Sequence, residues 1–325
     1  MLNLTAAVTR NPRFEPLIDG TITSKILNLQ FVVTTPPELF YRNLKYDEFD
    51  VFEMSLSELA ISQERGEGTR WQWSALPVFP AKAFLWFGLY VNSEAGIRGI
   101  QDLRGKRVGV PDYAMTAALW FRSFLWELHG IRPQDISWHV GRTKQFSHGA
   151  LVGLDQHPPT GVALRWLTEE ETFDRMLDRG ELDAAYSIAP RHDPKLQTFG
   201  NIDRYGGTPI AGNPRLRKLF DDGGHQLVIE YFRKTGSFRP TTPLRFKSVC
   251  STSIPGLLWS YSSSSKKPNT QLTKGRNGGA QLIFISTATT RQTRPLSSAT
   301  ILFPMASKKI KRCWSFSSAT PTKRA

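Results

Sequence analysis

The spacing of apolar positions alternates between two periods along the first 238 residues. Short apolar runs read as strands at Leu27 to Thr34, Val51 to Met54, Trp86 to Val91, Arg107 to Val110, Ile136 to Val140, Ala163 to Leu167 and Ala184 to Ile188. Between them lie stretches with helical spacing: Pro36 to Leu44, Ser55 to Arg65, Ala114 to His129 and Thr172 to Arg179. The first of these helices opens on proline, whose missing N–H costs nothing at a helix start. The second opens on Ser55 with Glu58 three residues on, the spacing of a capping box. The third stops before Gly130, the residue that tolerates the left-handed turn closing a helix. Strands alternating with helices predict an α/β protein made of two open lobes, with a ligand cleft where strands end and helices begin.

Charge changes this picture at one place. The 325 residues carry 42 Lys and Arg against 28 Asp and Glu, a net charge of +14. All of that excess sits after residue 240: Thr241 to Ala325 holds 14 basic residues, no acidic one, and 27 Ser or Thr among 85 residues. The first 240 residues balance at 28 basic and 28 acidic. A nucleic-acid reading would therefore rest on the tail alone, and neither a nucleic-acid nor a membrane partner is expected. The organisation predicted is residues 1–95 as the first part of lobe one, 96–190 as lobe two, 191–240 as the return to lobe one, and 241–325 as an irregular basic tail. The longest apolar run, Ala83 to Val91, is too short to span a bilayer, and the N-terminus lacks the pattern of a signal peptide, so a cytoplasmic protein is expected. Cys250 and Cys313 make neither a disulfide framework nor a metal-ligand spacing; no metal site is expected.

Five segments, in order, carry a resemblance: YDEFDVFEMSLSE (46–58), LPVFP (76–80), LYVN (89–92), DLRGKRVGVPDYAMT (102–116) and GELDA (180–184). Together they resemble the 4,5-dihydroxyphthalate decarboxylase family, whose fold is similar to that of type II periplasmic solute-binding proteins. The resemblance implies an enzyme without cofactor that releases CO2 from a hydroxylated aromatic ortho-dicarboxylate. The alternative is a non-catalytic protein of the same fold that binds a small anion. Loss of the family pattern near residue 238 predicts a change of coding frame between Gly236 and Thr242. Codons for 254–261 (IPGLLWSY), read one base earlier, can give HPWVAMEL, a helix opening of the kind the family has there. Sequencing the transcript across the codons for 230–265 is expected to show the shifted frame open; a frame full of stops would contradict it.

A dianionic substrate needs N–H donors or cations. Helix N-termini supply donors, which points to the backbone at Tyr113, Met115 and Thr116, the Thr116 hydroxyl, and Ser55 in the equivalent place after the earlier strand. The plainer alternative is that Thr116 and Ser55 only cap their own helices. Decarboxylation of the ring calls for an acid and a group that activates the phenol. Glu53 is a candidate for either role, His192 is the best-placed histidine, and Arg191 beside it is suited to clamp a carboxylate. Lys82 stands in a turn where the family more usually has Arg. The other histidines, His148 among them, carry no metal-like spacing and are assigned no role. The dense aromatics from Trp71 to Phe87 are as suited to a core as to a pocket.

Overall fold

The computed structural model describes residues 1–65, 70–71, 73–82, 88–186, 213–236 and 240–247, with backbone alone at 77, 81–82 and 240–247. Two sheets organise the chain. The first has the order β2-β1-β3-β11-β4, built from β1 (Leu2–Val8), β2 (Leu27–Val33), β3 (Val51–Glu53), β4 (Trp73–Lys82) and β11 (Pro240–Lys247). The second has the order β10-β5-β9-β6-β7-β8, from β5 (Leu89–Asn92), β6 (Arg107–Val110), β7 (Ser137–Val140), β8 (Ala163–Trp166), β9 (Ala184–Tyr186) and β10 (Leu216–Lys218). Each sheet has a parallel set of strands: β2, β1 and β3 in one, β9, β6, β7 and β8 in the other. Parallel strands need crossovers, and the helices supply them: α2 (Pro36–Tyr46) and α3 (Leu56–Arg65) in lobe one, α4 (Thr116–His129) and α6 (Phe173–Asp178) in lobe two.

Local chemistry explains the boundaries. Gly130, at φ 66°, closes α4, and the amides of Gly130 and Ile131 turn back onto the carbonyls of Trp126 and Leu125. The apolar face of α4 lies on β7 and β9, where Phe121 meets Trp138 edge-on and Tyr186 in a stack, all buried. Gly109 in the middle of β6 is required by this packing. A Cβ there would come within 2.7 Å of Cε1 and 2.9 Å of Cζ of Phe173 in α6. Gly109→Ala is expected to destabilise lobe two by about 1–3 kcal/mol through overpacking, read as a lower urea midpoint.

The lobe boundaries differ from the sequence expectation. β5 already belongs to the second sheet, so the crossover lies between Lys82 and Leu89 instead of near 95. Of the segment expected to return to lobe one, the described residues 213–236 stay with lobe two. β10 pairs antiparallel with β5, and Tyr231 of α7 (His225–Thr235) packs on Phe124, its hydroxyl donating to Glu127 at 3.1 Å. The return is made by β11, antiparallel to both β3 and β4, so the composition boundary at 240/241 falls inside a strand. The pairing with β4 is irregular between Pro240 and Thr242 and between Thr242 and Leu244, as expected where prolines at 240 and 243 lack the N–H of a ladder. Among the described residues, no helix is long and apolar enough to cross a membrane.

Candidate functional site

The two lobes meet where α3 and α4 begin. β3 ends at Glu53 and β6 at Val110, and each is followed within a few residues by a helix N-terminus, so partial positive charge from both helix ends faces the same space. Three hydroxyls are joined there. The Ser55 and Thr116 oxygens lie 2.8 Å apart, Ser55 Oγ is 3.2 Å from Ser57 Oγ, and Ser57 Oγ is 3.3 Å from Thr116 Oγ1. The Ser57 amide donates to Thr116 Oγ1 at 3.2 Å, and the Ser57 hydroxyl donates to the Ala114 carbonyl. All three side chains are buried.

Counting protons shows what this cluster can do. The Ser57 proton is spent on Ala114, which accepts only. The Ser55 and Thr116 protons then fill two of the three contacts among the oxygens, in one direction round the ring or the other. Every hydroxyl is satisfied without a ligand, and Ser55 and Thr116 hold the two protons that can turn toward an entering anion.

The plainer reading of Thr116 and Ser55 as caps of their own helices is not what the structure has. Met115 is the residue that precedes α4, with no side-chain cap, and Thr116 reaches across to lobe one. The capping box expected at Ser55 and Glu58 is likewise absent. The Ser55 hydroxyl contacts Thr116 and Ser57, and Glu58 turns to His148. Local sequence favoured the box, but the partner across the lobes supplies a stronger contact for a carboxyl that is fully buried.

The remaining expected residues separate. Glu53 is buried at the end of β3, and its Oε1 accepts from the Thr9 amide at 2.7 Å and the Thr9 hydroxyl at 2.8 Å, tying β3 to the end of β1. Tyr113 lies at the start of the β6–α4 turn, but its ring is buried inside lobe two, beneath the Arg122 guanidinium at 3.7 Å and edge-on to Trp138. Its carbonyl accepts from Arg122 at 2.9 Å. Lys82 is the last residue of β4. Arg191 and His192 lie outside the described residues. Of the aromatics, Trp71 and Trp73 belong to the core of lobe one, with indole N–H groups on the Leu44 carbonyl and the Asp47 carboxylate. Among the described residues no group of three or more His, Cys, Asp or Glu is placed to hold a metal.

Sequence reasoning passed over four residues at this junction. Asp112, fully buried, accepts from the amides of Ala114, Gly149 and His148 at 3.0, 3.1 and 2.7 Å. Arg142, buried just beyond β7, has its guanidinium 3.7 Å from that carboxylate. Glu58 of α3 and His148 of α5 (His148–Leu151) are 2.8 Å apart and both buried. Asp112 lies within the quoted PDYAMT segment, and Arg142 follows a strand end as a ligand-binding cation would. Glu58 and His148 are 90 residues apart, and nothing local links them.

Burial pushes the Glu58 carboxyl up to about 8, against the opposing charge of Arg142. The His148 Nε2 lies 3.0 Å from the Pro37 carbonyl, which only accepts, so Nε2 carries a hydrogen. The folded pair therefore holds one proton, and keeps it to about pH 8. In the unfolded chain Glu58 loses its proton near 4.5, and the histidine loses the last one near ~6.5. From about pH 6.5 to 8 the folded state binds more protons than the unfolded state, so stability falls as pH rises through that window. The fall is about 2 kcal/mol. Denaturant melts across it are expected to show this decline in the native sequence and to lose much of it in Glu58→Gln.

Two mixed sheets covered by helices, with a buried hydroxyl cluster and paired helix starts at the junction of their strand ends, define a two-lobed α/β protein. The chain belongs to the 4,5-dihydroxyphthalate decarboxylase family. It is 36% identical over 190 residues to the 4,5-dihydroxyphthalate decarboxylase of Pseudomonas putida, a match covering 58% of this chain and 71% of that protein. It is 34% identical over 221 residues to the enzyme of that name from Comamonas testosteroni, covering 68% of this chain and 61% of the relative. No family model matches the chain. Similar solved structures include the periplasmic aliphatic sulphonate binding protein of Escherichia coli, at 12% identity and a TM-score of 0.44, covering 81% of this chain and 71% of that one. The alkanesulfonate-binding protein of Xanthomonas axonopodis pv. citri follows at 12% identity and 0.39, covering 81% and 72%.

Proposed function

We propose that the chain is a carboxy-lyase acting on a hydroxylated aromatic ortho-dicarboxylate such as 4,5-dihydroxyphthalate, working in the cytoplasm without a cofactor. Membership of the decarboxylase family is the observation that carries the reading, and the paired helix starts at Ser55 and Thr116 suit a dianion. Direct loss of CO2 would leave an aryl carbanion. Protonating the carbon that bears the departing carboxylate avoids it: the hydroxyl para to that carbon feeds electrons into the ring, the C–C bond breaks toward the ring, and CO2 leaves as aromaticity returns. One proton enters and one CO2 departs, and the second carboxylate stays as the handle.

In this reading Ser55, Thr116 and the first amides of α4, beginning near Tyr113, hold the spectator carboxylate, with Lys82 and Arg191 as further cations. Glu53 and His192 are the candidates for ring acid and phenol activator. Incubation with substrate labelled in its carboxyl carbon, in deuterated water, is expected to release labelled CO2 and leave one deuteron on the vacated ring position. Tight binding with neither event would replace the enzyme with a small-anion-binding protein.

A further inference from the structure

Glu58 and His148 are not needed by the proposed chemistry, yet they are fully buried at the place where the lobes meet. Glu58 stands in the first turn of α3, and Pro37 in the first turn of α2; both belong to lobe one. His148 begins α5, which is anchored to lobe two through the preceding Ser147: its hydroxyl accepts from the Ala150 amide and from the indole of Trp166 in β8, at 3.1 and 2.9 Å. The imidazole thus joins two separate helices of one lobe to the other, at 2.8 and 3.0 Å. The second oxygen of Glu58 is buried without a hydrogen-bond partner, so its carboxyl is committed to this one contact. A second tie runs along the same helix, where Arg65 donates to the carbonyls of Val152 and His157 in lobe two.

We infer that Glu58 and His148 form a one-proton latch between the lobes, holding α3 and the start of α2 against α5 so that the Ser55, Ser57 and Thr116 hydroxyls stay in register. The proton count follows from geometry. Nε2 must donate to Pro37, and the Nδ1–Oε1 contact at 2.8 Å needs one hydrogen and has room for no second. Removing the proton leaves two acceptors facing each other; adding one leaves two donors. Both open the contact. The surrounding charges hold this balance. Arg142 acts on Glu58 from beyond β7, and Asp112 accepts the His148 amide. On α2, Tyr41 stacks on the imidazole at 6.5 Å and Phe40 meets it edge-on, while Glu38 contacts Arg42 at 3.4 Å.

These residues position the hydroxyl cluster and are not placed on the reacting atoms. The inference goes beyond the proposed activity and is tested without substrate, so either can fail while the other stands. Imidazole nitrogen spectra of the full chain identify His148 as the signal lost in His148→Gln. That signal is expected to stay fixed from about pH 5.5 to 7.5, where a free histidine titrates. Amide exchange in 38–40 and 148–151 is expected to speed up about a hundredfold in Glu58→Ala, with α6 unchanged as the internal reference. A His148 that titrates near the ordinary value overturns the latch, as does exchange that is unaltered or raised uniformly over lobe two. Should Glu58→Ala not fold, the titration of the unaltered chain decides alone.

Discussion

Asp112→Ala is expected to destabilise the protein by about 3–5 kcal/mol, the largest effect of any single side chain at the junction. The carboxylate accepts three amides, from Ala114, His148 and Gly149, and is fully buried. Alanine leaves those donors unpaired in a dry interior, at a cost of about 1–3 kcal/mol for each group that finds no substitute. It also strips the buried Arg142 of a carboxylate 3.7 Å away. Asp112→Asn keeps one acceptor oxygen and is expected to cost less than half as much. Urea melts of the two variants read the difference. Equal, small losses would mean that the amides find other partners and that Asp112 does not organise the β6–α4 turn.

The second large effect concerns the hydroxyls. Ser55→Ala with Thr116→Val removes the two protons able to turn toward an anion, while leaving both helix starts in place. Affinity for benzene-1,2-dicarboxylate, followed by calorimetry, is expected to fall about a hundredfold, since each hydrogen bond to a charged group is worth about 1.5–3 kcal/mol. Stability should change less than in Asp112→Ala, because the Ser55 and Thr116 hydroxyls lose both ends of their contact together and the Ser57 amide is the one donor left without its acceptor. Unchanged affinity in the double variant would place the anion elsewhere and remove the basis for reading this junction as the substrate site.

Much of the fold was legible because apolar periodicity is a local property. β2, β6 and α6, and the stop of α4 at Gly130, lie within a residue or so of where the pattern put them. β1 and β4 were not read as strands, and β10 and α7 were not assigned. β4 carries two prolines, and β10 exposes two of its three residues, so neither shows a clean alternation. The lobe assignment of 213–236 was missed for another reason. Which sheet a strand joins is decided by its hydrogen-bond partner, and β10 finds that partner in β5, more than a hundred residues earlier.

The site divides along the same line. The residues at strand ends before helices, Glu53, Ser55 and Thr116, could be named from the sequence, because strand-to-helix order fixes where helix N-termini gather. What each does was decided by the tertiary structure. Thr116 leaves its own helix uncapped to join Ser55, Glu53 is engaged by Thr9, and the Tyr113 ring turns into the core under Arg122. Glu58 looked like half of a capping box, and His148 like a histidine with nothing to do. Each acquires its meaning from a partner 90 residues away, because a buried carboxyl and a buried imidazole satisfy each other only when the closing of two lobes removes both from water.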